Sequence, residues 1–274
     1  MNLNTITTVQ RPKSFDEIGP WAAGHAWLGG GTWLFSEPQF STDTLIDLET
    51  LKWPSLSVLP TGLEIAATCR IAELAAFKGP EMWRAQPLLL ACCNSLLASF
   101  KIWNTATVGG NICMSLPAGA MIALVVALEG VLTLWPRVGE PRIINAADFV
   151  TGDHANVLQA GELLRSIHLP VAALGKRFAL RRATLTQYGR SAALLIGTRD
   201  DAGGLLLTIT AATPRPIQIR FPTAPSASAV RAEIEARVPA GGWFNDVNGS
   251  PAYKRHVSLY FAEQIRAELA KDTS

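Results

Sequence analysis

Ala26-Trp27-Leu28-Gly29-Gly30-Gly31-Thr32-Trp33-Leu34 and, further along, Asn104-Thr105-Ala106-Thr107-Val108-Gly109-Gly110-Asn111-Ile112 are the two stretches on which the reading of this chain turns. In the first, a short apolar strand runs straight into three glycines, and Thr32 to Phe35 suits a helical turn. In the second, a glycine pair forms a turn ahead of a helix expected from about Ala118 to Leu128. Glycine lets the backbone come close to a ligand, and consecutive N–H groups can then point into an anion. A helix starting just afterwards adds the partial positive charge of its N-terminus. Either turn alone is compatible with simple chain reversal. Two of them suit a dinucleotide diphosphate, which needs donors from converging loops. The spacing is not G-x-G-x-x-G, which argues against a Rossmann domain.

Working outward, Leu3 to Val9 alternates like an edge strand stopped by Pro12, and Ser14 is placed to cap a short helix. With the strand Thr44 to Leu48, these form a small β-α-β-type unit ending near Pro54. Leu56 to Leu59 and Leu63 to Thr68 read as paired strands across the turn Pro60-Thr61-Gly62. Ile71 to Phe77 and Pro87 to Phe100 carry helical spacing. Strands follow at Val131 to Trp135, Arg142 to Ile144 and Glu162 to Leu169. A third section has strands at Lys176 to Arg182, Ser191 to Thr198 and Leu205 to Ala211, then a helix from about Ala227 to Arg237. Ser250-Pro251 has the chemistry of a helix start, and Tyr253 to Leu269 continues as a long amphipathic helix.

Composition bounds the function classes. The 274 residues are 49% hydrophobic and 17% charged, which fits extensive buried surface and leaves apolar surface for a partner chain. A net charge of +2 without lysine or arginine runs gives a nucleic-acid role little support. Cys69, Cys92, Cys93 and Cys113 make no C-x-x-C pair and read as buried or half-buried thiols in a reducing compartment. His25, His154, His168 and His256 lack metal-ligand spacing, so no metal or iron–sulfur site is expected on this chain. The most apolar run, Ala120 to Trp135, is interrupted by Glu129-Gly130 and is too short to span a bilayer. With no signal-like N-terminus, the expected location is cytoplasmic.

The chain resembles the FAD-binding subunits of molybdenum hydroxylases such as xanthine, nicotine and carbon monoxide dehydrogenases. The resemblance rests on Leu-Gly-Gly-Gly-Thr (28–32), Leu-Ile-Asp-Leu (45–48), Leu-Glu-Ile-Ala-Ala-Thr-Cys-Arg-Ile-Ala-Glu-Leu (63–74), Asn-Thr-Ala-Thr-Val-Gly-Gly-Asn-Ile (104–112), Gly-Glu-Leu-Leu-Arg-Ser-Ile-His-Leu-Pro (161–170) and Ser-Pro-Ala-Tyr-Lys-Arg-His (250–256), in the family's order. It implies an α+β fold: a PCMH-type FAD-binding domain over residues 1–172, built of two α+β lobes (about 1–54 and 55–172), then a smaller α+β C-terminal domain over 173–274. It further implies an electron-transfer subunit that passes electrons through FAD to an external acceptor (NAD, oxygen, a quinone or a protein). The 2Fe-2S clusters would sit on a small partner subunit and the molybdenum cofactor on a large molybdopterin subunit. The residues implied to hold FAD are Trp27, Leu28, Gly29, Gly30, Gly31, Thr32, Trp33 and Leu34 in the first stretch, and Thr107, Gly109, Gly110 and Asn111 in the second. Leu97 and Leu164 are implied beside the flavin ring, and Arg177 as a basic contact.

The chain also departs from the family pattern. Trp33 stands where a polar residue is common, Trp103 replaces an arginine, and Ala120 replaces an aspartate that would bond the flavin's sugar-side hydroxyls. Tyr188 is a candidate for an aromatic residue that screens the flavin. A stand-alone FAD-dependent oxidoreductase and a flavin-free scaffold subunit, which the change at Ala120 would favour, stay open beside the electron-transfer reading.

Overall fold

A computed structural model describes residues 3–271. The expected domain limits at residues 1 and 274 lie outside the described residues. The first sheet is parallel, with β3 (Thr44–Asp47) between β1 (Thr8–Gln10) and β2 (His25–Leu28). Every residue of β3 is buried, as a central strand of apolar and β-branched residues requires. The edge strand expected from Leu3 is shorter, because the Ile6 N–H folds back to the Leu3 carbonyl (3.0 Å) before pairing begins. Ser14 makes no capping bond, and only a single 3-10 turn, Phe15–Glu17, follows it.

The second sheet is antiparallel and runs β4 (Leu56–Leu59), β5 (Gly62–Ala66), β10 (Leu163–Pro170), β6 (Val131–Trp135), β7 (Arg142–Asn145). A small hairpin of β8 (Val150–Gly152) and β9 (Ala155–Asn156) projects beside it. Helices α1 (Ile71–Ala76), α2 (Pro87–Ser95), α3 (Phe100–Trp103), α4 (Val108–Cys113), α5 (Ala120–Ala127), α6 (Ala146–Phe149) and α7 (Val171–Leu174) pack on and around it. One helix was expected from Pro87 to Phe100. The chain instead breaks at Leu96, which turns extended (ψ 116°), and resumes as the single turn α3.

The third sheet is an antiparallel meander of β11 (Arg177–Thr184), β12 (Ser191–Arg199), β13 (Leu205–Thr210) and β14 (Ile217–Phe221). Helices α8 (Ala227–Arg237) and α9 (Pro251–Ala270) cover one face. On α9, Ser250 Oγ accepts from the Tyr253 N–H (3.3 Å) and Pro251 opens the helix, as its sequence dictates. The other face meets α5. All eight residues of α5 are buried and apolar, so the helix has no solvent side and must be enclosed. It lies between α2, α4 and α6 on one hand and β12 and β13 on the other. Strand β12 divides accordingly: Ala193 and Leu195 join the core under α9, while Leu194 and Ile196 join the core around α5. The chain passes from the second sheet to the third at α7.

No helix among the described residues is long and apolar enough to cross a membrane.

Candidate functional site

The first sheet, the helices and loops packed on the second, and loops of the third line one open cleft of about 670 Å³, within the range of small-molecule and cofactor sites. Its walls come from the turn after β2, the break between α2 and α3, the start of α4, the segment before α5, and two loops of the third unit.

The turn after β2 forms the polar wall. Gly29 through Leu34 line the cleft, and the Phe35 N–H closes a helical turn onto the Gly31 carbonyl (2.8 Å). The backbone N–H groups from Gly30 to Leu34 find no acceptor among the described residues. Unpaired consecutive donors on a cleft wall suit an anion, because buried or half-buried N–H groups are nearly always bonded. Gly30 is needed for a second reason. A Cβ there would collide with the Thr105 carbonyl oxygen and lie 2.6 Å from its carbon and 3.0 Å from Ala106 Cα, so the two glycine segments touch backbone to backbone. Gly31 has φ +69°, in the left-handed region that glycine reaches without strain.

The second glycine segment differs from its expected form. It is not a turn ahead of a distant helix but the first turn of α4, with Thr107 as N-cap. Its N–H groups are already bonded: Val108 to Cys69 O (2.8 Å), Gly109 to Ala67 O (2.9 Å), Gly110 to Thr107 Oγ1 (3.0 Å) and Asn111 to Thr107 O (3.0 Å). What this segment offers a ligand is side chains and open space. Asn111 uses Oδ1 to accept from the Met121 N–H at the start of α5 (3.0 Å), which orients its amide in the cleft wall. Gly110 is exposed and leaves the floor clear.

Of the residues named from sequence, the structure brings Trp27, Gly29, Gly30, Gly31, Thr32, Trp33, Leu34, Leu97, Thr107, Gly110 and Asn111 to this cleft. Trp27 is held by its Nε1–H, which donates to the Glu162 carbonyl (3.1 Å). Four others lie outside its lining. Leu28 points to the opposite face of β2 from Trp27. Gly109 is buried against Ala67, whose Cα would be 2.7 Å from an added Cβ, so this glycine serves packing. Leu164, expected beside the ring, is 1% exposed in the core and pairs with Leu134 across the sheet. Arg177, expected as a basic contact, instead donates to the Lys271 carbonyl (2.9 Å) at the far end of α9. Ala120 is fully buried and gives the cleft no polar group. Trp103 packs against the central core, and Tyr188 is 75% exposed on the β11–β12 loop outside the cleft.

Several cleft residues were not visible from sequence. Arg190 lies in the β11–β12 loop with its guanidinium over the Trp33 ring (5.6 Å), and the His154 ring flanks the same indole (6.0 Å). His154 Nδ1 in turn meets Asp153 (2.8 Å). A cation beside the unpaired donors adds to their preference for negative charge. Phe244, Asp246, Val247 and Asn248 arrive on a loop between α8 and α9. The stretch Gly241-Gly242-Trp243-Phe244-Asn245-Asp246-Val247-Asn248-Gly249 is dense in turn formers and without periodicity, the one signal that marks it as a binding loop. Cys113 also lines the cleft, and burial pushes its thiol up to about 12, which disfavours the thiolate a nucleophile needs. Among the described residues no cluster of His, Cys, Asp and Glu has the makings of a metal site.

Comparison with known proteins fits this geometry. Residues 5–172 match the family described as the FAD binding domain in molybdopterin dehydrogenase. The beta subunit of caffeine dehydrogenase from Pseudomonas sp. (strain CBB1) is 32% identical over 137 residues, 48% of this chain and 44% of that protein. Xanthine dehydrogenase from Oryza sativa subsp. japonica is 29% identical over 122 residues, 42% of this chain and 9% of that much longer protein. The match thus spans less than half of either relative. In fold, the chain resembles carbon monoxide dehydrogenase from Hydrogenophaga pseudoflava (TM-score 0.79, 20% identity, 95% of this chain and 96% of that one). It also resembles quinoline 2-oxidoreductase from Pseudomonas putida 86 (TM-score 0.78, 17% identity, 97% and 96%). The family match extends across both glycine segments that line the cleft: the chain belongs to the FAD-binding domains of molybdopterin dehydrogenases, with FAD as its cofactor.

Proposed function

We propose that this chain is the electron-transfer subunit of a molybdenum hydroxylase complex, receiving electrons from iron–sulfur clusters on a small partner subunit and delivering them to an external acceptor. The molybdenum cofactor that hydroxylates the substrate belongs, in this reading, to a large molybdopterin subunit. The observation that carries the proposal is the run of unpaired N–H groups from Gly30 to Leu34 on the wall of the shared cleft. These donors hold the diphosphate, and Arg190 offsets its charge. The Thr107 hydroxyl and the Asn111 amide face the polar middle of the cofactor, while Leu97, Ile102 and Met114 supply an apolar surface that keeps water from a planar ring. When bound, FAD supplies redox chemistry in one- and two-electron steps, and the protein's part is position and electrostatics. Among the described residues no nucleophile–base pair stands in the cleft: burial raises the Cys113 thiol and disfavours its thiolate, and the Asp153–His154 pair is solvent-exposed.

The proposal is tested by isolating the native complex through this chain and analysing its cofactors. The expected preparation is yellow, shows a flavin absorption band and contains an iron–sulfur subunit and a molybdenum subunit. A colourless complex without flavin contradicts the proposal and favours a scaffold. A tightly flavinated chain that turns over a small substrate without partners contradicts it in favour of a stand-alone oxidoreductase.

A further inference from the structure

Lys254 is a lysine with no exposed side-chain surface, an arrangement that survives only when the ammonium is fully paired. It sits at the start of α9, outside the cleft lining. Its Nζ bonds Asp246 Oδ1 (2.8 Å) and the Ala211 carbonyl (3.1 Å), and it lies over the Phe244 ring (4.9 Å). Both partners lead to the cleft. Asp246 accepts from the Asn248 N–H (2.9 Å) and side-chain amide (3.0 Å), which folds the loop carrying Phe244, Asp246 and Asn248 into the cleft wall. Ala211 has φ +65°, a strained conformation for a residue with a Cβ, and its N–H donates to the Pro117 carbonyl (2.8 Å) on a different wall. One buried charge therefore ties two wall segments from separate parts of the chain.

We propose that Lys254 is a positioning residue for the cofactor cleft, setting FAD affinity through the loop at 244–249 and the segment at 116–119 without touching the cofactor. The proposal rests on the reading of the cleft as the FAD site. Lys254→Met keeps the length of the side chain and removes the charge. Asp246 remains bonded to Asn248 and partly exposed, so the fold tolerates the change better than it would a stranded buried carboxylate. The test is titration of FAD into the flavin-free full-length chain, followed by flavin fluorescence, with hydrogen exchange of the same samples before FAD is added. Lys254→Met is expected to weaken FAD binding about tenfold or more, the cost of freeing two walls, and to raise exchange selectively at 244–249 and 116–119. Unchanged affinity overturns the proposal, as does an exchange increase spread evenly over the molecule. Should Lys254→Met fail to fold, Gly249→Ala disturbs the same loop with the ammonium in place, since a Cβ there would lie 2.9 Å from the Tyr253 ring. It too is expected to weaken binding, and wild-type affinity overturns the proposal. Gly110→Val in the same titration separates the two layers of inference. If it loses FAD while Lys254→Met keeps it, only the positioning role falls. If both keep FAD, the cleft is not the FAD site.

Discussion

Replacing Gly30 with alanine is expected to weaken FAD binding by about a hundredfold, equivalent to losing two charge-assisted hydrogen bonds of about 1.5 kcal/mol each. The reason is backbone, not ligand. The added methyl group runs into the Thr105 carbonyl and Ala106 Cα, atoms that cannot swing aside as a side-chain tip can. The turn after β2 must therefore retreat from the segment leading into α4, and its N–H groups leave the geometry in which they face one ligand together. Overpacking of this sort costs about 1–3 kcal/mol, so a fall in melting temperature of several degrees should accompany the loss of flavin. Flavin fluorescence titration and a thermal melt of the same preparation check both. An alanine variant that retains wild-type affinity would show that the contact between the two segments does not shape the site.

Gly110→Val is expected to abolish detectable FAD binding while leaving the fold nearly as stable as wild type. Gly110 is exposed on the cleft floor, and its added Cβ would meet only Thr107 Oγ1 (2.9 Å). Disturbing that N-cap costs about 1 kcal/mol. Valine in place of glycine inside a helix returns a few tenths of that. The net cost stays below about 1 kcal/mol, so stability falls only modestly, whereas a branched side chain now occupies space the cofactor needs. The pair of variants is informative together: Gly30→Ala acts through the wall and lowers stability, while Gly110→Val acts through the floor and lowers it less. Equal destabilisation by both, with flavin lost only in proportion, would contradict the assignment of Gly110 to the floor.

The glycine segments show how far sequence reasoning reaches. That both segments come to one cleft was legible from the pair of them, since either turn alone is compatible with simple chain reversal. That their roles differ was not. The donors of Val108, Gly109 and Gly110 are taken by Cys69, Ala67 and Thr107, partners fixed by the packing of α4 against β5 and the turn beyond it. Local chemistry sufficed for Ser250-Pro251 and for the all-apolar α5, whose enclosure follows from having no polar face. It failed at Leu164, which is set by tertiary packing: it lies in the core around α5, while Leu163 packs with Leu48 and Leu51 on the other side of β10, so both faces of the strand are covered. Arg177 is a basic residue on the expected strand, but its guanidinium answers to the carbonyls ending α9, distant in sequence. Arg190, His154 and the loop at 244–249 reach the cleft only through tertiary folding, and Lys254, though inside the motif at 250–256, carries no local sign of its burial. The change at Ala120 removes a polar group from the family pattern, yet the unpaired donors of the first turn do not depend on it.

The central claim is that the N–H groups from Gly30 to Leu34 are the principal anchor of FAD in this chain. Amide hydrogen exchange across residues 29–34, measured on the full-length chain with and without FAD, tests it directly. Exchange there is predicted to be fast in the flavin-free chain, where the amides from Gly30 to Leu34 have no acceptor among the described residues, and to slow by about tenfold or more once FAD supplies acceptors. FAD bound with exchange at 29–34 unchanged would contradict the account.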